Sequence, residues 1–170
     1  MTGHATEPVL VVGVGNRYRG DDGAGLAAAA RLGEAAGAPV VLLDNAGDGT
    51  VLLDVWQRAD AVILIDAMRS GAPAGTVRRL DAAAEVGAAN VAALLSQGRT
   101  LGGSTHGVGV AEAVALGRTL HRLPRRLVVI GIEGRRFDAG VDLSHEVERA
   151  LDEAVRLGLE EVADVHRAAR

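Results

Sequence analysis

The sequence predicts a single three-layer α/β/α domain over residues 1–170, built on a mostly parallel, mixed five-stranded sheet. Three observations carry this expectation. Apolar, Val/Ile-rich runs of strand length recur along the chain and are nearly continuous, as strands covered on both faces must be. Segments of helical periodicity separate them, the alternation that builds parallel sheets. Hydrophobic residues make up 48% of the chain and aromatics only 2%, so the core is aliphatic.

The elements follow in order. Val9–Val14 is the first strand, and a glycine-rich turn leads from it into a helix over Ala24–Ala36. Val40–Leu43 is a second buried strand, followed by a helix over Thr50–Arg58. Ala61–Ile65 is a third strand, closed by Asp66. Thr76–Leu80 alternates and contains Arg78 and Arg79, which marks a more exposed edge strand. Helical patterns follow at Asn90–Gln97 and Gly109–His121, with Leu127–Ile132 as the last strand. A helix over Ser144–Ala169 carries a stripe of Val147, Leu151, Val155, Leu157, Leu159 and Val162, which should pack on the sheet. Right-handed crossovers place the strand ends bearing Asp22 and Asp66 on one edge of the sheet, where open α/β proteins bind ligands.

Composition excludes several classes. A formal net charge of −4 gives no reason to expect a nucleic-acid partner. All 18 basic residues are arginine, and without lysine no phosphate-binding G-x-x-x-x-G-K-[ST] loop exists. The absence of cysteine rules out thiol catalysis, disulfides and thiolate metal sites, and is compatible with a reducing compartment. No apolar run approaches the ~20 residues of a membrane helix. Met1 to Pro8 lacks the basic start and apolar centre of a secretion signal. A soluble, cytoplasmic protein is expected.

The most informative string is Gly13-Val14-Gly15-Asn16-Arg17-Tyr18-Arg19-Gly20-Asp21-Asp22-Gly23-Ala24-Gly25. Its adjacent carboxylates would repel a phosphate and attract a metal ion or a cationic group. One of them is expected to cap the following helix; two exceed what a cap needs. Asp66, at the end of a buried run, is costly unless it is paired, caps the turn from Ala67 to Gly71, or binds metal. His106 lies in the glycine-rich loop Gly102 to Gly107, the only histidine in such a setting. Two oxygens and one imidazole nitrogen suit a first-row divalent ion such as zinc or nickel, with open positions left for other ligands. Gly102 to His106 approximates G-x-S-x-G but ends in His106, which leaves Ser104 a weak nucleophile candidate. His145-Glu146 lacks the second histidine of H-E-x-x-H and starts a helix after the cap Ser144.

Taken together the motifs resemble those of the nickel–iron hydrogenase maturation endopeptidases. The matching pieces are residues 13–25, Asp44-x-x-Gly47-x-Gly49, Ile65-Asp66-Ala67, Ser104-Thr105-His106-Gly107-Val108-Gly109, and the run from Gly131 to Val147. The resemblance implies a three-layer α/β/α fold. It implies a peptidase that removes a short C-terminal extension from a hydrogenase large-subunit precursor once nickel is in place. The family's metal-contacting positions fall on Asp22, Asp66 and His106. Substrate recognition falls on Asn16 and on the loop with Asp44, Gly47 and Gly49. The implied nickel is carried by the substrate, with zinc or cadmium able to replace it in vitro. Two alternatives stay open: a non-catalytic metal- or peptide-binding chaperone, and a serine hydrolase using Ser104. Family members often carry proline where this chain has Gly134 and His145.

Overall fold

The computed structural model describes residues 9–44, 49–84 and 106–170, with the backbone alone at 49 and 106–108. Five strands, β1 (Val9–Gly15), β2 (Val40–Asp44), β3 (Ala61–Met68), β4 (Val77–Asp81) and β5 (Arg126–Glu133), form one mixed sheet. Their order is β2-β1-β3-β5-β4. All pairings are parallel except β4 with β5, so β4 is an antiparallel edge, as its arginines foretold.

The described helices are α1 (Ala24–Ala36), α2 (Gly49–Trp56), α3 (His106–Thr119) and α4 (His145–Ala168). The expected helix over Asn90–Gln97 lies outside the described residues. Strand side chains alternate between two cores, which is why β1, β3 and β5 read as unbroken apolar runs. Val9, Val11, Ile63, Ile65, Val128 and Ile130 face α1 and α4. Leu10, Val12, Val62, Leu64, Leu127 and Val129 face α2 and α3, around the fully buried Trp56. The sheet is therefore a middle layer between two helical ones.

Beyond shifts of one or two residues at element ends, the structure departs from the sequence expectation in three places. Strand β3 continues past Ile65 to Met68, so Asp66 lies within the last turn of pleat rather than after it. Helix α3 begins at His106 instead of Gly109, so that residue is the first of a helix and not part of a loop. Leu159 of the α4 stripe is exposed, while Ala150, Ala154 and Val165 join the buried face. Short alanines let α4 lie close to α1, a contact that a leucine-weighted reading of the stripe misses.

At the amino end of the sheet, Glu161 of α4 is buried and paired with Arg79 of β4 and Arg126 of β5. The carboxyl end is built differently.

Candidate functional site

The parallel order brings the carboxyl ends of β1 and β3 side by side, with Gly13 opposite Ile65. A single 3-10 turn, Gly20–Gly23, bridges from β1 to α1 and holds both Asp21 and Asp22. Gly25 then sets the first turn of α1 directly on the strand ends. A Cβ there would lie 2.4 Å from the carbonyl oxygens of Val14 and Ile65 and 2.9 Å from the Cα of Asp66. Only glycine permits this approach, and it seats the start of α1 directly against Asp66.

Asp22 and Asp66 are each about 1% exposed. The Oδ1 of Asp66 accepts the N–H of Ala67 at 2.8 Å. Its Oδ2 is buried and accepts no hydrogen bond from the described residues. Burial, and then the negative charge of Asp22, push the Asp66 carboxyl well above its ordinary range; the Ala67 N–H opposes them. Such a group lowers its energy by gaining a cation or a proton. The turn that Asp66 was expected to cap is held by another acid. Glu133, at the end of β5, accepts the N–H of Ser70 at 2.9 Å, the Ser70 hydroxyl at 2.8 Å and the N–H of Gly71 at 3.0 Å.

Asp21 does not cap α1, whose N-cap position is Gly23. Its buried carboxylate faces the loop after β5 instead. It accepts the N–H groups of Arg135 at 2.7 Å, Arg136 at 2.8 Å and Ser144 at 2.6 Å, and the Ser144 hydroxyl at 2.9 Å. Burial alone would raise its carboxyl, but these four bonds outweigh it and hold the group below its ordinary value. Ser144 sits at the N-cap position of α4, yet its hydroxyl serves Asp21 and not the helix. Backbone bonds from Gly20 to Val141, Asp21 to Arg136 and Gly140 to Tyr18 complete a strap that locks the two-aspartate turn.

The rim carries the remaining expected residues. The Asn16 side chain accepts the N–H of Tyr18 at 2.9 Å and so shapes its own loop. Arg17 and Asp44 form an ion pair that ties this loop to the end of β2. Tyr18 is 72% exposed between them. Gly49 opens α2; Gly47 and Ser104 lie outside the described residues. His106 opens α3, which runs antiparallel to β5 and so begins at the carboxyl edge of the sheet. The His106 side chain lies outside what the structure describes, and among the described residues no three His, Asp or Glu side chains gather into a metal site. The structure thus unites Asp22 with Asp66, and ties Asp44 to Arg17, the neighbour of Asn16.

Asp21 and Glu133 were not read as structural anchors. For Glu133 a signal existed: like Asp66, it is a carboxylate ending a buried apolar run. For Asp21 the signal was the second of two acids where one cap was needed.

These features define a three-layer α/β domain with a buried acidic pair at the carboxyl end of its sheet. Residues 27–161 match the hydrogenase maturation protease family, and the chain belongs to that family. It is 29% identical over 165 residues to the hydrogenase expression/formation protein HupD of Thiocapsa roseopersicina, covering 95% of this chain and 71% of HupD. The hydrogenase maturating endopeptidase HybD of Escherichia coli is similar in structure, with a TM-score of 0.70, 25% identity, and coverage of 92% of this chain and 93% of that one. HybD of Thermococcus kodakarensis, a [NiFe] hydrogenase maturation protease, gives a TM-score of 0.66 and 26% identity over 90% of this chain and 97% of its own. The protein is therefore a peptidase of hydrogenase maturation, and no described helix is long and apolar enough to cross a membrane.

Proposed function

We propose that this peptidase acts in the cytoplasm on a nickel–iron hydrogenase large-subunit precursor. It removes the C-terminal extension after nickel insertion, recognising substrate-borne nickel through Asp22, Asp66 and His106. The observation that supports this reading best is the buried Oδ2 of Asp66, which accepts no hydrogen bond from the described residues and lies under the influence of a second buried carboxylate. Two acids held together in this way carry a standing cost that a divalent ion relieves. Because no thiolate is present, the set does not need to hold a private metal tightly. It gains most when a partly coordinated ion arrives on the substrate, which makes metal loading the condition for productive binding. A divalent ion so placed can polarise the scissile carbonyl or a water molecule. Asn16 and Asp44 border the same edge and, with Gly47 and Gly49, contact the precursor.

Intact-mass time courses on nickel-loaded and nickel-free precursor test this. Cleavage near the C-terminus is expected only for the loaded form, and Asp66→Ala and His106→Ala should block it. Calorimetry should show free nickel, zinc or cadmium binding weakly at one site, lost in Asp66→Ala. Equal cleavage of both precursor forms would sink the nickel requirement while leaving the peptidase assignment intact.

A further inference from the structure

We infer that Arg69 is a specificity-determining residue that binds a carboxylate of the cleaved extension; this rests on the precursor-processing reading above. Arg69 follows directly on β3, three positions beyond Asp66 and on the carboxyl edge of the sheet. It is partly buried, and its guanidinium carbon lies 3.9 Å from the centroid of the Phe137 ring. That stacking fixes the plane of the guanidinium while leaving its five N–H donors to other partners. Among the described residues they have none. Three other arginines of this edge differ: Arg17 pairs with Asp44, Arg19 donates to the Phe137 carbonyl, and Arg135 pairs with Glu146.

Two acids of the same edge are engaged elsewhere. Glu133 is engaged by Ser70 and Gly71, and Asp21 by the strap. The platform itself is built with care. A Cβ at Gly134 would lie 2.3 Å from the Phe137 ring, so glycine at this position makes room for the aromatic seat. A partly desolvated, pre-oriented guanidinium without a hydrogen-bond partner among the described residues is a fork for a carboxylate, which it can hold through two parallel hydrogen bonds.

At about 3.3 Å per extended residue, the Arg69 backbone lies roughly 10 Å along the strand from Asp66. A peptide positioned at the acid pair would reach the guanidinium after about three to five residues. The carboxylate is an acidic side chain of the extension or its terminal carboxyl group.

The test measures binding of the protein to immobilised nickel-loaded precursor by interferometry, with cleavage of the same samples followed by intact mass. Arg69→Gln should weaken binding by about tenfold or more, and Arg69→Lys by less, because lysine keeps the charge but not the fork. Thermal midpoints of both variants should match the wild type. Changing the extension's acidic residues to amides should erase the difference between wild type and Arg69→Gln if a side chain is the ligand. Moving the terminus with a short glycine tail should erase it if the terminal carboxylate is. Arg69→Glu should regain binding to a precursor whose acidic residue is changed to arginine. Equal binding by wild type and Arg69→Gln, or a loss that no change in the extension alters, overturns the inference. Binding that depends on Arg69 without cleavage would instead count against the processing reading alone.

Discussion

Asp21 and Asp66 are both buried at the carboxyl end of one sheet, and the fold treats them in opposite ways. Among the described residues, four donors converge on Asp21, whose carboxyl is held low, and one reaches Asp66, whose carboxyl is held high. The same contrast divides the two ends of the molecule. At the amino end, Glu161 is met by two guanidinium groups. Burial of a carboxylate is thus not a signature of function by itself. What separates a structural acid from a candidate functional one is whether its oxygens are satisfied from within the chain.

Three measurements can break or sharpen that contrast. Asp21→Ala should have the largest effect on stability, about 4 kcal/mol by chemical denaturation, because it leaves three backbone N–H groups without their acceptor. Asp21→Asn, which keeps an oxygen, should cost less. A near-neutral Asp21→Ala would mean that the strap holds without its anchor.

Glu161→Gln should cost less, about 2 kcal/mol at neutral pH, since Arg79 and Arg126 remain partly exposed and can be solvated. The effect should depend on pH. Burial alone would raise the Glu161 carboxyl, but the bonds and charges of Arg79 and Arg126 bring it below its ordinary value of 4.5. A depressed acid stabilises the fold above its unfolded value, and that contribution is lost as pH falls through the folded one. The gap between wild type and Glu161→Gln should therefore close as pH drops below 4.5. A gap constant with pH would show that the pair acts by shape and not by charge.

The smallest effect, and of opposite sign, is expected at Asp66. Asp66→Asn removes a buried carboxyl whose charged form the site disfavours, with little change of shape, so it should leave metal-free protein equally stable or about 1 kcal/mol more stable. Processing should be lost. Marked destabilisation by Asp66→Asn would place Asp66 with the structural acids.

Much of this was readable in the sequence. The strands were, because burial on both faces leaves unbroken Val and Ile runs at Val9, Ala61 and Leu127. The meeting of Asp22 and Asp66 was, because parallel crossovers leave few places for strand ends to go. The partner of each acid was not. One of the two adjacent aspartates was expected to cap the helix because a local rule offers that role, whereas the donors of Asp21 lie 114 to 123 residues away. Ser144 looked like a cap for the same reason. Glu133 and the start of α3 depended on which loops pack over the sheet, and no periodicity reports that.

The distance between Asp21 and its donors also sets an order of events during synthesis. The two-aspartate turn leaves the ribosome more than a hundred residues before Arg135 and Arg136 can fasten it. Contacts of such long range form late and slowly. Asp21 and Asp22 therefore lie in an unfastened turn until β5 and the start of α4 are available to close the strap. Fastening of the two-aspartate turn is thereby tied to completion of the last strand and the last helix.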